Sequence, residues 1–213
     1  MSRADRRDAG FTLVELLVAV VILGIIAVPI GNAAISLIRN TDMTNDRFAL
    51  SHDAQISAAL FARDVASVGR RDYSAAPAAG STLPYKPSIQ LVAAYNAGGV
   101  TCGDATTPAA LVRFLSDDWQ SVGVVGTDVV AYYLTAPVGG VSELRRIKCA
   151  GSPTPVAPAL AVAHDVDPAT ASVTCSSTCG SVTVPEQVTL AFTVTRTSVG
   201  PYPISLTGQR RQT

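Results

Sequence analysis

GFTLVELLVAVVILGIIAVPI, residues Gly10 to Ile30, is the stretch that decides how this chain folds. It carries one charged residue, Glu15, in an otherwise almost wholly apolar run, and a polar leader, MSRADRRDAG, precedes it. Apolar character continues through Ile35, Leu37 and Ile38 as far as Arg39. At ~1.5 Å rise per residue, a helix from Phe11 to Ile38 is long enough to cross a ~30 Å hydrocarbon layer. A removable secretory signal has a shorter apolar core followed by a small-residue cleavage site, and no such site follows here, so the segment reads as a retained anchor. A twin-arginine signal at Arg6-Arg7 is disfavoured, because Asp8 and Ala9 follow where apolar residues belong. Arg3, Arg6 and Arg7 hold the leader on the cytoplasmic side of the inner membrane and send the rest of the chain outward.

The chain has 213 residues, enough for one domain with an appended segment and a real core. It carries 16 basic and 16 acidic residues, and without the leader 13 and 14 remain. That balance supports no general attraction to nucleic acid. The four cysteines, Cys102, Cys149, Cys175 and Cys179, all lie far from the apolar run. Only two histidines are present, neither beside a cysteine pair, so a zinc site would need all four thiolates. Disulfides in an exported part fit better. Three connectivities are possible, and the preferred one joins Cys175 to Cys179 as a local loop and Cys102 to Cys149 as a long-range staple.

A carboxylate in a membrane segment costs roughly 2.5–3.5 kcal/mol on insertion scales, so Glu15 calls for an explanation. It either reaches back to the nearby interface or meets a positive charge on a neighbouring subunit. Gly24 and Pro29 weaken the same helix, and Pro29 removes a backbone donor. Their presence reads either as irregularity that membrane helices tolerate or as local melting that helps the stem pack.

Gly10-Phe11-Thr12-Leu13-Val14-Glu15-Leu16-Leu17, behind a short basic leader, resembles the processing signature of type IV prepilins and pseudopilins. The resemblance implies cleavage between Gly10 and Phe11 by a prepilin peptidase, N-methylation of Phe11, and an assembly role for Glu15, which offsets the N-terminal ammonium of an adjacent subunit. It also implies other pilin or pseudopilin subunits and an inner-membrane assembly platform as partners, and a final place in a cell-surface or periplasmic filament. Pro29 lies somewhat earlier than the corresponding proline of main pilins. The physics agrees with the transfer: in a low-dielectric bundle, a new cation at Phe11 and a carboxylate one turn on each need an opposite charge.

Beyond the anchor no Pro or Gly interrupts Thr41 to Val68, and Leu50, Ala54, Ala58, Phe61, Val65 and Val68 recur at steps of three and four. This is one face of an amphipathic helix, with Asp46, Arg47, Asp53, Arg63 and Asp64 on its wetter side and a stop at Gly69. The expected organisation is a leader over 1–10, a membrane or filament-core helix over 11–38, its amphipathic continuation over 39–69, a connector over 70–88 and a β-rich head over 89–213. Strands are expected at Ile89–Tyr95, Leu111–Ser116, Val129–Thr135, Glu143–Cys149, Val188–Thr195 and Ile204–Thr207, with a short addition at Val182–Val184. The third and fourth form a hairpin around Pro137, Gly139 and Gly140. Residues from Cys149 to Glu186, with five prolines, read as loop. The fold class is α+β: a long helix packed on an antiparallel sheet. The order of strands and the basic tail resemble the larger minor pilins and the corresponding large pseudopilin.

No catalytic constellation emerges. His52 falls on the stem and His164 in a loop, away from any nucleophile pattern. Asp117-Asp118-Trp119 reads as a solvated turn closed by an aromatic, with calcium binding as the alternative. Arg70-Arg71, Arg145-Arg146 and Arg210-Arg211 read as solvated ends and an exposed strand face, and a DNA-binding surface remains open. The sequence thus points to a non-enzymatic filament subunit with no cofactor and no metal, most like a minor pilin. A pseudopilin of a type II secretion or DNA-uptake machine is the neighbouring alternative, and a membrane-anchored adhesin is the alternative of another class.

Overall fold

The computed structural model describes residues 12–69, 71, 86–121, 124–181 and 183–211. Two compact units divide between Asn45 and Asp46. One helix, α1 (Leu13–Ala66), supplies the first unit and the opening of the second. It runs through Gly24 and Pro29 without a break, so the local melting considered for Pro29 is absent from this structure. In the first unit the large apolar side chains from Leu13 to Ile38 are all exposed, and the threonine hydroxyls bond back to their own helix, Thr41 to the Leu37 carbonyl (2.9 Å) and Thr44 to that of Asn40 (2.8 Å).

The second unit is an antiparallel meander of seven strands in sequential order: β1 (Ile89–Ala93), β2 (Ala110–Ser121), β3 (Val124–Leu134), β4 (Ser142–Cys149), β5 (Leu160–Cys175), β6 (Gln187–Arg196) and β7 (Gly200–Gln209). The later part of α1 packs on one face. Phe61 is fully buried there, with its ring edge-to-face against Phe114 (5.6 Å) and Tyr132 (5.4 Å). Leu50, Val65 and Val68 join the same core, beside Val112, Leu144, Leu190, Phe192 and Leu206. Contact is close at the last strand, where a Cβ on Gly208 would lie 2.5 Å from the Val65 Cβ. The opposite face buries Leu115, Val129, Ala131, Tyr133 and Ile147 around Cys102 and Cys149.

The amphipathic face is rotated from its expected setting. Ala58 is exposed and Ser57 is buried in its place, while Asp53 and Asp64, expected on the wet side, face the sheet. Each buried carboxylate meets a base on a different strand. Asp64 accepts two hydrogen bonds from the Arg146 guanidinium (2.6 and 2.7 Å) and one from the Tyr132 hydroxyl (2.6 Å). Asp53 accepts from the His164 backbone N–H (3.1 Å) and lies 3.0 Å from its Nδ1. Asp46 pairs with Arg196, which also holds Asp165 at 2.9 Å. Periodicity located the apolar residues, but a polar residue that finds a buried partner counts toward the inner face too.

β5 is the largest departure from expectation, since it runs through the region read as loop and places His164 on a strand. Pro168 is accommodated because the β5–β6 register breaks between Asp167 and Ser172. Asp167 closes the bulge by accepting from the Ala169 N–H (3.0 Å) and the Thr170 hydroxyl (2.8 Å). Elsewhere β2 extends through Asp117, and the described residues 183 and 184 are not strand.

Burial and the neighbouring Asp64 carboxylate both hold the Tyr132 phenol protonated, well above its ordinary range. A group whose folded pKa is raised contributes stability that is complete below its unfolded value, about 10 for tyrosine, and is lost as pH climbs above it. Chemical denaturation of the head should therefore show stability falling from about pH 10 upward, and Tyr132→Phe should flatten that fall. At pH 7 the same change should cost about 1.5–3 kcal/mol, because a hydrogen bond to a charged acceptor is lost.

Candidate functional site

The first described residue, Thr12, leads directly into α1 and caps it. Its carbonyl accepts the Leu16 N–H (3.2 Å) and its hydroxyl oxygen accepts the Glu15 N–H (3.3 Å). Glu15 reciprocates: its Oε2 accepts both the Thr12 N–H and the Thr12 hydroxyl, each at 3.0 Å. This is a capping box, in which Thr at the N-cap and Glu three residues on satisfy each other's backbone donors. The carboxylate also stands in the first turn, where the helix dipole favours negative charge. Among the described residues no hydrogen bond engages Oε1, so one oxygen is held by Thr12 while the exposed side chain keeps the other unbonded. Gly10 and Phe11, the expected cleavage and methylation positions, lie outside the described residues.

The model for a prokaryotic N-terminal methylation motif matches residues 5–31, a span that contains the end of the leader with Gly10, Phe11, Thr12 and Glu15. The chain carries this motif, which supports a type IV pilin- or pseudopilin-like protein. Among curated proteins and among solved structures nothing matches it. The family resemblance of this pilin-like chain therefore resides in its stem, and its head must be read from its own geometry. The stem fits the assignment: α1 is long and apolar enough to cross a membrane.

The remaining sequence candidates fall outside this site. Cys102 bonds Cys149, with Cα atoms 5.7 Å apart, and Cys175 bonds Cys179 at 5.5 Å. The first staples the loop before β2 to the end of β4, and the second closes the loop after β5. Asp117 is no solvated turn. It lies within β2, its side chain is almost fully buried, and it pairs with Arg71 at 3.2 Å. Arg71 is correspondingly no solvated end, since it also donates to the Pro87 carbonyl (3.0 Å) and the Thr127 hydroxyl (3.2 Å). The Asp118 side chain and Arg70 lie outside what is described. Arg146 points under the helix to Asp64, whereas its neighbour Arg145 pairs with Glu143 (2.7 Å) at the surface. Arg210 is half-buried and Arg211 exposed. His52 is exposed on α1 and His164 is paired with Asp53, so the two histidines serve no common site.

Two residues escaped the sequence reading. Thr12 carries the signal Thr-x-x-Glu ahead of an apolar run, which is legible as a capping box. Arg113 carries no such signal. It is buried in β2 and donates to the carbonyls of Ala94 (3.0 Å), Ala97 (3.1 Å) and Val100 (2.6 Å), fixing the loop over the second face. Burial, then the charge of Arg71, lowers its pKa.

Replacing Thr12 by Ala should raise the exchange rate of the Glu15 amide by roughly fivefold, from a loss of about 1 kcal/mol of capping, while Thr12→Ser keeps it slow. Hydrogen exchange on the full chain in detergent micelles measures both.

Proposed function

We propose that this protein is a non-enzymatic structural subunit, minor in abundance, of a type IV pilus-like filament. A prepilin peptidase cuts between Gly10 and Phe11, Phe11 is N-methylated, and the assembly platform extracts the subunit from the inner membrane into the fibre. The observation that carries this reading is the capped Glu15 within the matched methylation motif. The carboxylate is held one turn from the proposed new N-terminus, with one oxygen bonded to Thr12 and no hydrogen bond from the described residues to the other. A neighbour's Phe11 ammonium would supply that second oxygen with its counter-charge. In the low-dielectric interior of a bundle the pair offsets what each charge alone would cost.

The exposed side chains from Leu13 to Ile38 support the same reading, since so large an apolar surface needs lipid before assembly and other stems after it. In the head, buried acids are matched to bases as structural pairs, Asp64 with Arg146 and Asp117 with Arg71, which fits a scaffold better than a reaction centre. The minor assignment rests on the strand order and the basic tail. Subunit counting in sheared filaments tests it, and a copy number matching the main subunit would overturn it.

Mass spectrometry of the membrane-extracted protein should find a chain beginning at N-methyl-Phe11, whereas an intact Met1 in cells with active peptidase would refute the processing step. Glu15→Ala should be cleaved as usual yet be lost from filaments, and normal incorporation would refute the charge pairing.

A further inference from the structure

The two disulfides stand in different surroundings. Cys102 and Cys149 are 1% and 0% exposed, lie 47 residues apart in the chain, and are sealed in the apolar layer of Leu115, Val129 and Ile147. Cys175 and Cys179 are only half-buried, with one flank against the core under α1. The residues between them, Ser176, Ser177 and Thr178, are all exposed. Thiol–disulfide exchange requires a thiolate to reach a sulfur of the bridge, so it proceeds where a bridge meets solvent and stalls where packing seals it. We infer that the Cys175–Cys179 bridge is a reversible redox latch, opened by dithiols in the folded protein while Cys102–Cys149 stays closed.

The short loop also selects the reductant. A thiolate attacks one sulfur of the bridge, forms a mixed disulfide with that cysteine and releases the other cysteine as a thiolate. The released cysteine remains four residues from its former partner, tethered at a high effective concentration. With a monothiol it recloses the bridge and expels the reagent. A dithiol competes with that reclosure, because its second thiol attacks its own sulfur in the mixed disulfide and expels the protein cysteine. Two electrons and two protons pass to the bridge, leaving Cys175 and Cys179 as thiols and the dithiol as its own disulfide.

What the latch holds is local. The Ser176 N–H donates to the Gln187 carbonyl (2.9 Å), and the Ser176 hydroxyl oxygen accepts the Glu186 and Gln187 N–H groups (3.0 and 3.1 Å). These bonds tie the end of β5 to the start of β6 without help from the bridge. Beyond them, the bonds within the described loop are short-range: the Ser181 N–H reaches the Thr178 carbonyl at 3.4 Å, and the Ser181 hydroxyl reaches that of Thr183 at 2.9 Å. Val184 and Pro185, both buried, anchor its far end. The same loop covers the start of β1, since a Cβ on Gly180 would lie 3.4 Å from the Ile89 carbonyl oxygen. Opening the bridge therefore loosens the cover over Ile89 and leaves the pairing of β5 with β6 intact. The latch belongs to the head alone and stands whether or not the stem enters a filament.

The test uses the folded full chain in detergent micelles at about pH 8, treated with dithiothreitol or with reduced glutathione at equal thiol concentration. Alkylation followed by peptide mass spectrometry reads each cysteine. Dithiothreitol should free Cys175 and Cys179 at least about tenfold faster than Cys102 and Cys149, whereas glutathione should leave neither free thiols nor a lasting adduct. Equal rates at the two bridges, earlier opening of Cys102–Cys149, or a stable glutathione adduct on Cys175 or Cys179 would overturn the latch. Hydrogen exchange locates its effect. In the dithiol-reduced chain the Ser181 amide should exchange about fivefold faster or more while the Ser176 and Gln187 amides stay slow. The double variant Cys175→Ser, Cys179→Ser should reproduce that pattern without reductant. An unchanged Ser181 rate after reduction, or a Gln187 amide that speeds up equally, would refute a cover held by this bridge, and the wild-type chain decides this even if the double variant does not fold.

Discussion

Asp64 carries a charge beneath α1, out of reach of water, and the head's arrangement follows from how that charge is met. The guanidinium of Arg146 grips both its oxygens and the Tyr132 hydroxyl takes a third bond, so one helix residue is tied to β3 and β4 at once. A buried pair adds little net stability over apolar packing, but removing one partner costs about 3–5 kcal/mol because the other charge is left stranded. Such a pair therefore selects one rotation of the helix more strongly than it stabilises the fold. Apolar contacts alone would tolerate a small roll of α1, because Leu50, Phe61 and Val65 meet a broad greasy face. A small roll would leave both Asp64 and Asp53 without their partners.

The second face of the sheet is organised by the same rule with different residues. Arg71 brings the chain back after α1 and is anchored on Asp117, and Arg113 gathers three carbonyls of the loop that covers this side. The Cys102–Cys149 bridge closes the same layer. In a loop-rich region with few large apolar side chains, cross-links and buried guanidinium bonds limit the conformations available to the unfolded and open states. The fold thus spends its buried charges as locators, one set per face, and leaves the last strand as its open boundary.

The stem follows a different logic. Its large apolar side chains from Leu13 to Ile38 are all exposed, a surface that is unfavourable in water. Its start is held by the reciprocal bonds between Thr12 and Glu15. Those bonds keep the carboxylate at the helix start, where the dipole and the N-terminal donors both favour it.

Sequence by itself determined the stem and the class of the fold. Leader, Gly10-Phe11, Glu15 and the apolar run are local patterns, and patterns of that kind hold whatever surrounds them. The hairpin between β3 and β4 was legible for the same reason, from two alternating runs around a Pro-Gly turn. Tertiary structure alone decided which side of α1 faces inward, that Asp117 and Arg71 are buried partners, and that the proline-bearing stretch around His164 is a strand. Each of these depends on a partner far away in the chain. Asp64 and Arg146 are separated by 82 residues, and nothing near Asp64 announces that a guanidinium will meet it. Pro168 reads locally as a breaker and becomes tolerable only because β6 pairs on either side of the bulge. Burial changes what a polar residue means, and burial is a property of the assembled fold.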